Sequence, residues 1–203
     1  MQATAAPPAS RRAKPHRGSG LTYVARRTGA PWSETIALSN RRRLVLRPIR
    51  PDDAETLRRG FAALSSEDVR RRFLHPMTEL TGEQARRLAA PDPRRELALV
   101  LAEPPPEGDA LIGGVARVTL SEDDGRAEFA LLLARPLRGY GLGEHLLRQL
   151  IGWARRKRVR TLVGHVLDDN APMLALADKL GFTRAAAPGE RGLTEVRLAL
   201  ARD

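Results

Sequence analysis

Apolar and polar positions along the chain fall into short segments, each with one clear period. Leu44-Val45-Leu46-Arg47-Pro48-Ile49 reads as a first strand. Pro51-Asp52-Asp53 then opens a helix with acids in its first turn, and Ala54, Leu57, Phe61 and Leu64 form its apolar stripe. Ser65-Ser66-Glu67-Asp68 predicts a capping box for a second short helix through Phe73, ended by His75-Pro76. Thr81-Gly82-Glu83-Gln84 caps a third, which stops before Pro91. Glu96 to Ala102 is a continuous apolar run of the buried-strand type. A Pro-rich turn over 103–109 leads to its hairpin partner, Leu111 to Leu120, where Gly113-Gly114 predicts a bulge or a close approach. Asp123-Asp124-Gly125 is the next hairpin turn. A strand over 126–134, a helix to about Arg158, a strand over Arg160–Leu167, a helix over Asn170–Leu180 closed by Gly181, and a strand over Thr194–Leu200 complete the order. The pattern is α+β: an antiparallel meander that turns parallel where the long helix joins strand 126–134 to strand 160–167.

Arg138-Gly139-Tyr140-Gly141-Leu142-Gly143 lies at that strand-to-helix turn. Such a turn offers unpaired N–H groups at the positive end of a helix, and glycine lets a phosphate approach the backbone closely. The Rossmann fingerprint does not fit, because the third glycine comes one residue early, and no Lys-Ser or Lys-Thr follows as a P-loop needs.

Composition narrows the classes. Residues 1–40 are dominated by Ala, Pro, Ser, Gly and Arg and hold no sustained apolar period, so they read as a disordered basic tail that can be removed, with the domain spanning 41–203. The longest apolar run, Phe129 to Ala134, is too short to cross a membrane, and the chain contains no cysteine. Both fit a cytoplasmic protein without disulfides or thiolate metal sites. The four histidines, His16, His75, His145 and His165, show no metal-ligand spacing, so no metal is expected. Net charge is +11. It suits anionic partners, yet aromatics are only 4% of residues, too few for the stacking platforms of a nucleic-acid binder.

The glycine loop, the element order, and the run Asn170-Ala171-Pro172-Met173-Leu174-Ala175-Leu176-Ala177-Asp178-Lys179-Leu180-Gly181-Phe182 together resemble the GNAT acyltransferases over roughly 43–200. Leu46 to Ala54 and Leu64 to Phe73 resemble, more narrowly, the GNAT domain of bacterial protein-lysine acetyltransferases. The resemblance implies a mixed central sheet whose parallel strands splay at the acyl-CoA site. It implies acetyl-CoA as co-substrate and an amine acceptor, a protein lysine or alternatively a small-molecule amine. It places the pyrophosphate on Arg138, Gly139, Tyr140, Gly141, Leu142 and Gly143, the pantetheine arm along Leu131, Leu132 and Leu133, and the carbonyl-polarising N–H at Leu132 or Leu133. Asn170 would contact the CoA arm, although an asparagine there equally suits a helix N-cap. Glu128 matches the family's glutamate base, and its sequence neighbours Ala127 and Phe129 would desolvate it; the alternative is a cross-strand partner of Arg126. Many members carry a tyrosine acid seven residues after the asparagine, where this chain has Ala177. A CoA-binding regulator without catalysis is a further alternative, against which Glu128 argues.

Overall fold

The computed structural model describes residues 23–28, 32–103, 111–122 and 125–200. Among the described residues, nine strands form one sheet: β1 Tyr23–Thr28, β2 Ser33–Leu38, β3 Arg43–Pro48, β4 Glu96–Ala102, β5 Ile112–Leu120, β6 Arg126–Leu133, β7 Thr161–Leu167, β8 Thr183–Ala186 and β9 Leu193–Ala199. Their spatial order is β1-β2-β3-β4-β5-β6-β7-β9-β8, with β6 and β7 parallel and the other neighbours antiparallel.

Five helices cover its faces. Helices α1 (Ala54–Ala62), α2 (Ser66–Phe73) and α3 (Gly82–Ala89) lie on one side; α4 (Leu142–Arg156) and α5 (Ala171–Lys179) lie on the other. Strand β4 is apolar throughout because both of its faces are covered. Leu99 and Leu101 pack with Leu146 and Leu150 of α4, while Ala98 and Val100 pack with Ala54 and Leu57 of α1. Helix α4 supplies the largest stripe, Leu142, Leu146, Leu147, Leu150, Ile151, Trp153 and Ala154, all buried at helical spacing.

The glycine pair of β5 serves both expected purposes. The β4–β5 register slips between Leu101 and Ala102, opposite the glycines. A Cβ on Gly113 would also lie 2.5 Å from Leu137 Cδ1, so only glycine lets Leu137 seat there.

Two expectations are corrected. The tail does not extend to residue 40: β2 pairs with β3, and its Ile36 and Leu38 are buried in the main core. The strand was hidden in the sequence because its third inward position is Glu34, whose carboxylate is buried 3.1 Å from His145 Nε2 on α4, 111 positions away. Residues 1–22 lie outside the described residues, as do the turn residues 104–110 and 123–124. At α2, Ser65 accepts the Asp68 N–H at 3.1 Å, but Asp68 does not return a bond to complete a box. Its carboxylate is spent on Arg138 instead. The box at Thr81 and Gln84 is complete. Beyond α5, the exposed edge strand β8 pairs with β9.

Candidate active site

Strands β6 and β7 are paired only at Arg126–Thr161, Ala127–Leu162 and Glu128–Val163. Beyond that point β6 stays with β5 as far as Leu133, and β7 stays with β9 as far as Leu167. The two strands therefore diverge in the middle of the sheet. A wedge marks the place. The Phe129 ring occupies the space a side chain at position 164 would need: a Cβ on Gly164 would lie 2.4 Å from Phe129 Cε1. Phe182 stacks edge-on against the same ring at 5.4 Å between centroids.

Divergence leaves one edge of β6 without a strand partner, and hydrogen-bond parity identifies its members. Ser121 N–H donates to Arg126 C=O and Ala134 N–H donates to Gly113 C=O. In an antiparallel ladder every second residue then turns its backbone toward β5, so 128, 130 and 132 do so as well. Phe129, Leu131 and Leu133 turn theirs toward β7. The sequence-based choice of Leu132 for a backbone role is thus corrected: its N–H and C=O are committed to β5, and Leu131 and Leu133 present theirs to the cleft. The Leu133 C=O also accepts from Arg138 Nε at 3.0 Å.

The glycine loop follows after a short 3₁₀ turn, Arg135–Leu137. Gly139 and Gly141 have φ of +84° and +77°, values that only glycine adopts without strain. Helices α2, α3 and α5 have side-chain N-caps in Ser65, Thr81 and Asn170, whereas the N-cap of α4 is Gly141 with no side-chain cap bond. Its first-turn N–H groups face outward at the positive end of a fifteen-residue helix. A Cβ on Gly143 would touch Leu176 Cδ2 at 3.4 Å, which sets how closely α4 approaches α5. Glu144, in that same first turn, is neutralised by Lys179 at 2.7 Å and Arg148 at 2.9 Å. The Lys179 contact, ahead of burial, which opposes it, and Arg148, holds its carboxyl below the usual range.

Two loop residues also make contacts the sequence did not predict. Arg138 pairs with the buried Asp68 and bonds the Leu133 carbonyl, so it fastens α2 to the end of β6. The Tyr140 hydroxyl accepts from Asn40 Nδ2 at 3.0 Å, tying the loop to the β2–β3 turn. Asn170 caps α5 through Met173 N–H at 3.4 Å and also lines the cleft.

The cleft between the diverging strands has a volume of about 200 Å³. Glu128, Arg72, His165, Asn170, Leu131 and Met173 are among its walls. Glu128 is on the sheet face covered by α2, with its side chain 60% exposed. The apolar surroundings expected from Ala127 and Phe129 are absent, because strand alternation sends both of those side chains into the core on the other face. Its neighbour is instead His165, whose Nδ1 is 3.3 Å from Glu128 Oε1. His165 Nε2 is 3.6 Å from Glu195 Oε2, and the buried Glu195 is paired with Arg197. A carboxylate–imidazole–carboxylate line therefore crosses β6, β7 and β9.

His165 and Arg72 were not singled out by sequence reasoning. The signal for His165 was available: Glu128 pairs with Val163, so residue 165 is the next on the same face. Nothing in the sequence marks Arg72 among the three consecutive arginines of α2.

Among the described residues no group of His, Asp and Glu could hold a metal ion, and no helix is long and apolar enough to cross a membrane.

The acetyltransferase (GNAT) domain model matches residues 43–183. An acetyltransferase of Pseudomonas aeruginosa, PA5475, is 30% identical over 172 residues, covering 85% of this chain and 91% of that protein. Among solved structures, the GNAT domain of S. lividans PAT superposes with a TM-score of 0.71 at 23% identity, covering 85% of this chain and 99% of the other. A ribosomal-protein-alanine N-acetyltransferase from Brucella melitensis does so with a TM-score of 0.59 at 21% identity, over 76% and 99%.

Proposed function

The chain belongs to the GNAT acetyltransferase family, and from that premise we propose that it moves the acetyl group of acetyl-CoA to the side-chain amine of a protein lysine, with Glu128 as general base. The observation that carries the reading is the divergence of β6 from β7. It sets an unpaired backbone edge and the Glu128 carboxylate on one cleft, and the chain runs from that edge into the uncapped N-terminus of α4. The pyrophosphate would rest on the N–H groups of Gly139–Gly143. The pantetheine amides would bond the edge formed by Leu131 and Leu133, and a Leu131 or Leu133 N–H would polarise the thioester carbonyl. Arg138, held by Asp68, shapes this seat and lends it positive charge.

A lysine ammonium has a pKa near 10.4, so at neutral pH a proton must leave before attack. Glu128 takes that proton. The amine nitrogen then forms the C–N bond to the thioester carbon, the C–S bond breaks with its electron pair leaving on the CoA sulfur, and the nitrogen gives up its second proton to water as the amide forms. His165 donates to Glu128 and holds the carboxylate toward the cleft. No side-chain acid stands at the position of the family's tyrosine, since Ala177 is fully buried in the core; water protonates the thiolate or it leaves as such. The exposure of Glu128 favours a lysine projecting from a protein surface over a small amine enclosed in a pocket.

The test is acetyl transfer to lysine peptides followed by mass spectrometry, with Glu128→Gln beside the parent. We expect kcat/KM to fall by about 10²- to 10⁴-fold at neutral pH, with part of the loss recovered at higher pH as the acceptor deprotonates itself. Parental activity across the range would reduce Glu128 to a structural partner of His165.

A further inference from the structure

Helix α2 carries Arg70, Arg71 and Arg72 in succession, and their fates differ. Arg70 pairs with Glu67 and with Asp169 ahead of α5. Arg71 pairs with Glu67. Arg72 turns inward and meets no hydrogen-bond acceptor or ion pair among the described residues; its guanidinium sits 5.0 Å over the Phe73 ring. It lies on the wall shared by the catalytic cleft and an adjoining, mostly apolar cavity of about 60 Å³ under α1, lined by Leu57, Phe61, Leu64 and Leu132. Another cation that acts on it, Arg117, is itself committed to Glu96 and to the Leu88 carbonyl. Burial, with Arg117 beside it and Glu128 opposing, pulls Arg72 down to about 10.

A half-buried guanidinium with no hydrogen-bonded carboxylate is costly, and a bidentate carboxylate is the group that best relieves it. Two sources of such a carboxylate can reach the cleft: the acyl chain or the acceptor. Position decides between them. Arg72 and Glu128 share the α2 face of the sheet, opposite α4 and its N-terminus, so Arg72 stands where the amine must approach the base. The cleft then presents an anion for the amine and a cation beside it, a match for an acceptor of both charges.

We propose that Arg72 receives a carboxylate borne by the acceptor, close to the amine that is acetylated. The inference rests on the acetyl-transfer reading above and adds the class of acceptor: a lysine amine with a neighbouring carboxylate, supplied by an acidic side chain or a chain terminus beside it, for which small amino acids serve as probes.

The experiment compares each acid with its own primary amide, correcting for amine ionisation: glycine, β-alanine, 4-aminobutyrate, 6-aminohexanoate and Nα-acetyl-lysine. For at least one span the acid is expected to exceed the amide in kcat/KM by about 10- to 100-fold. In Arg72→Met that ratio falls to near one, whatever the absolute rate. Arg72→Met is also expected to melt no lower than the parent without ligand, since it replaces a half-buried charge lacking a hydrogen-bonded carboxylate by an apolar chain of similar length. The parent's ratio stands as a test even if the variant does not fold. Amides acetylated as well as acids at every span would overturn the carboxylate site while leaving acetyl transfer to amines intact. A preference for succinyl-CoA over acetyl-CoA that disappears in Arg72→Met would move the carboxylate to the acyl donor and overturn the proposal too. No transfer to any amine would refute the underlying reading as well.

Discussion

Gly164→Ala tests whether the Phe129 wedge sets the divergence of the strands. The new methyl would lie 2.4 Å from Phe129 Cε1, 2.5 Å from Cζ and 3.1 Å from Cδ1. All three distances are too short, so the ring must move. It is only 4% exposed and rests against Phe182, so it has little room to do so. Overpacking of this kind costs about 2–3 kcal/mol. Replacing a strand glycine by alanine returns about 0.5–1 kcal/mol of backbone entropy, leaving a net loss of about 1–2.5 kcal/mol. For a domain of this size each kcal/mol lowers Tm by about 2–4 °C, so a fall of about 2–10 °C is expected in calorimetry. The displaced ring also lies beside Leu131, so KM for acetyl-CoA should rise more than kcat falls. Phe129→Leu in the same chain should recover much of both losses, a positive coupling in the double-mutant cycle. A Gly164→Ala protein with parental Tm and parental KM, or losses that simply add with Phe129→Leu, would refute the wedge.

The other expectations are briefer. Ile36→Ala removes a fully buried side chain from the main core and should cost about 2–5 kcal/mol in chemical denaturation; deletion through residue 40 should then lose cooperative unfolding, in contrast to the removable tail that composition suggests. Burial raises the Asp68 carboxyl, but bonds from Arg138 and Ser65 outweigh it and leave the group below its usual range. Its stabilising effect is therefore present above about pH 4 and lost as pH falls through the lowered folded value. Urea midpoints between pH 6 and 3 should fall more steeply for the parent than for Asp68→Asn, and equal slopes would refute the pairing. Acetyl-CoA at a hundred times its Kd should stabilise the protein by about 2.7 kcal/mol in a thermal shift; stabilisation by DNA with none by CoA species would refute the cofactor assignment.

The core of the fold was legible because periodicity and caps agree there. Strands β3 to β7 and helices α1 to α5 follow apolar stripes, complete or half-complete caps and glycine stops that belong to neighbouring residues. What escaped depends on distant partners. Strand β2 could not be read because Glu34 is inward only by virtue of His145. Strand β8 is exposed at every residue and exists through its pairing with β9. In the site, the glycine loop, Asn170 and Glu128 were visible as residues. Their neighbours were not: the parity that excludes Leu132 follows from the β5 register, and the commitment of Arg138 follows from Asp68, 70 positions away. The surroundings of Glu128 were misjudged because adjacent residues in a strand face opposite ways.

The short β6–β7 seam has a further consequence for how the molecule breathes. Among the described residues, three residue pairs, with the Arg160 and Thr161 N–H groups bonded to Gly125 C=O at the start of the seam, are the backbone pairing between the leaf β1–β6 and the leaf β7–β9–β8. The leaves are otherwise joined by side-chain packing beneath α4 and α5 and by the Glu128–His165 and Arg70–Asp169 contacts. Packing without a shared ladder lets each leaf open as its own unit, below the free energy of global unfolding. Amides of β7 and β9 should therefore exchange with deuterium as one group, separately from those of β4 and β5. A ligand bonded to the β6 edge and seated on the first turn of α4 would act as the missing rung, merging two exchange units into one.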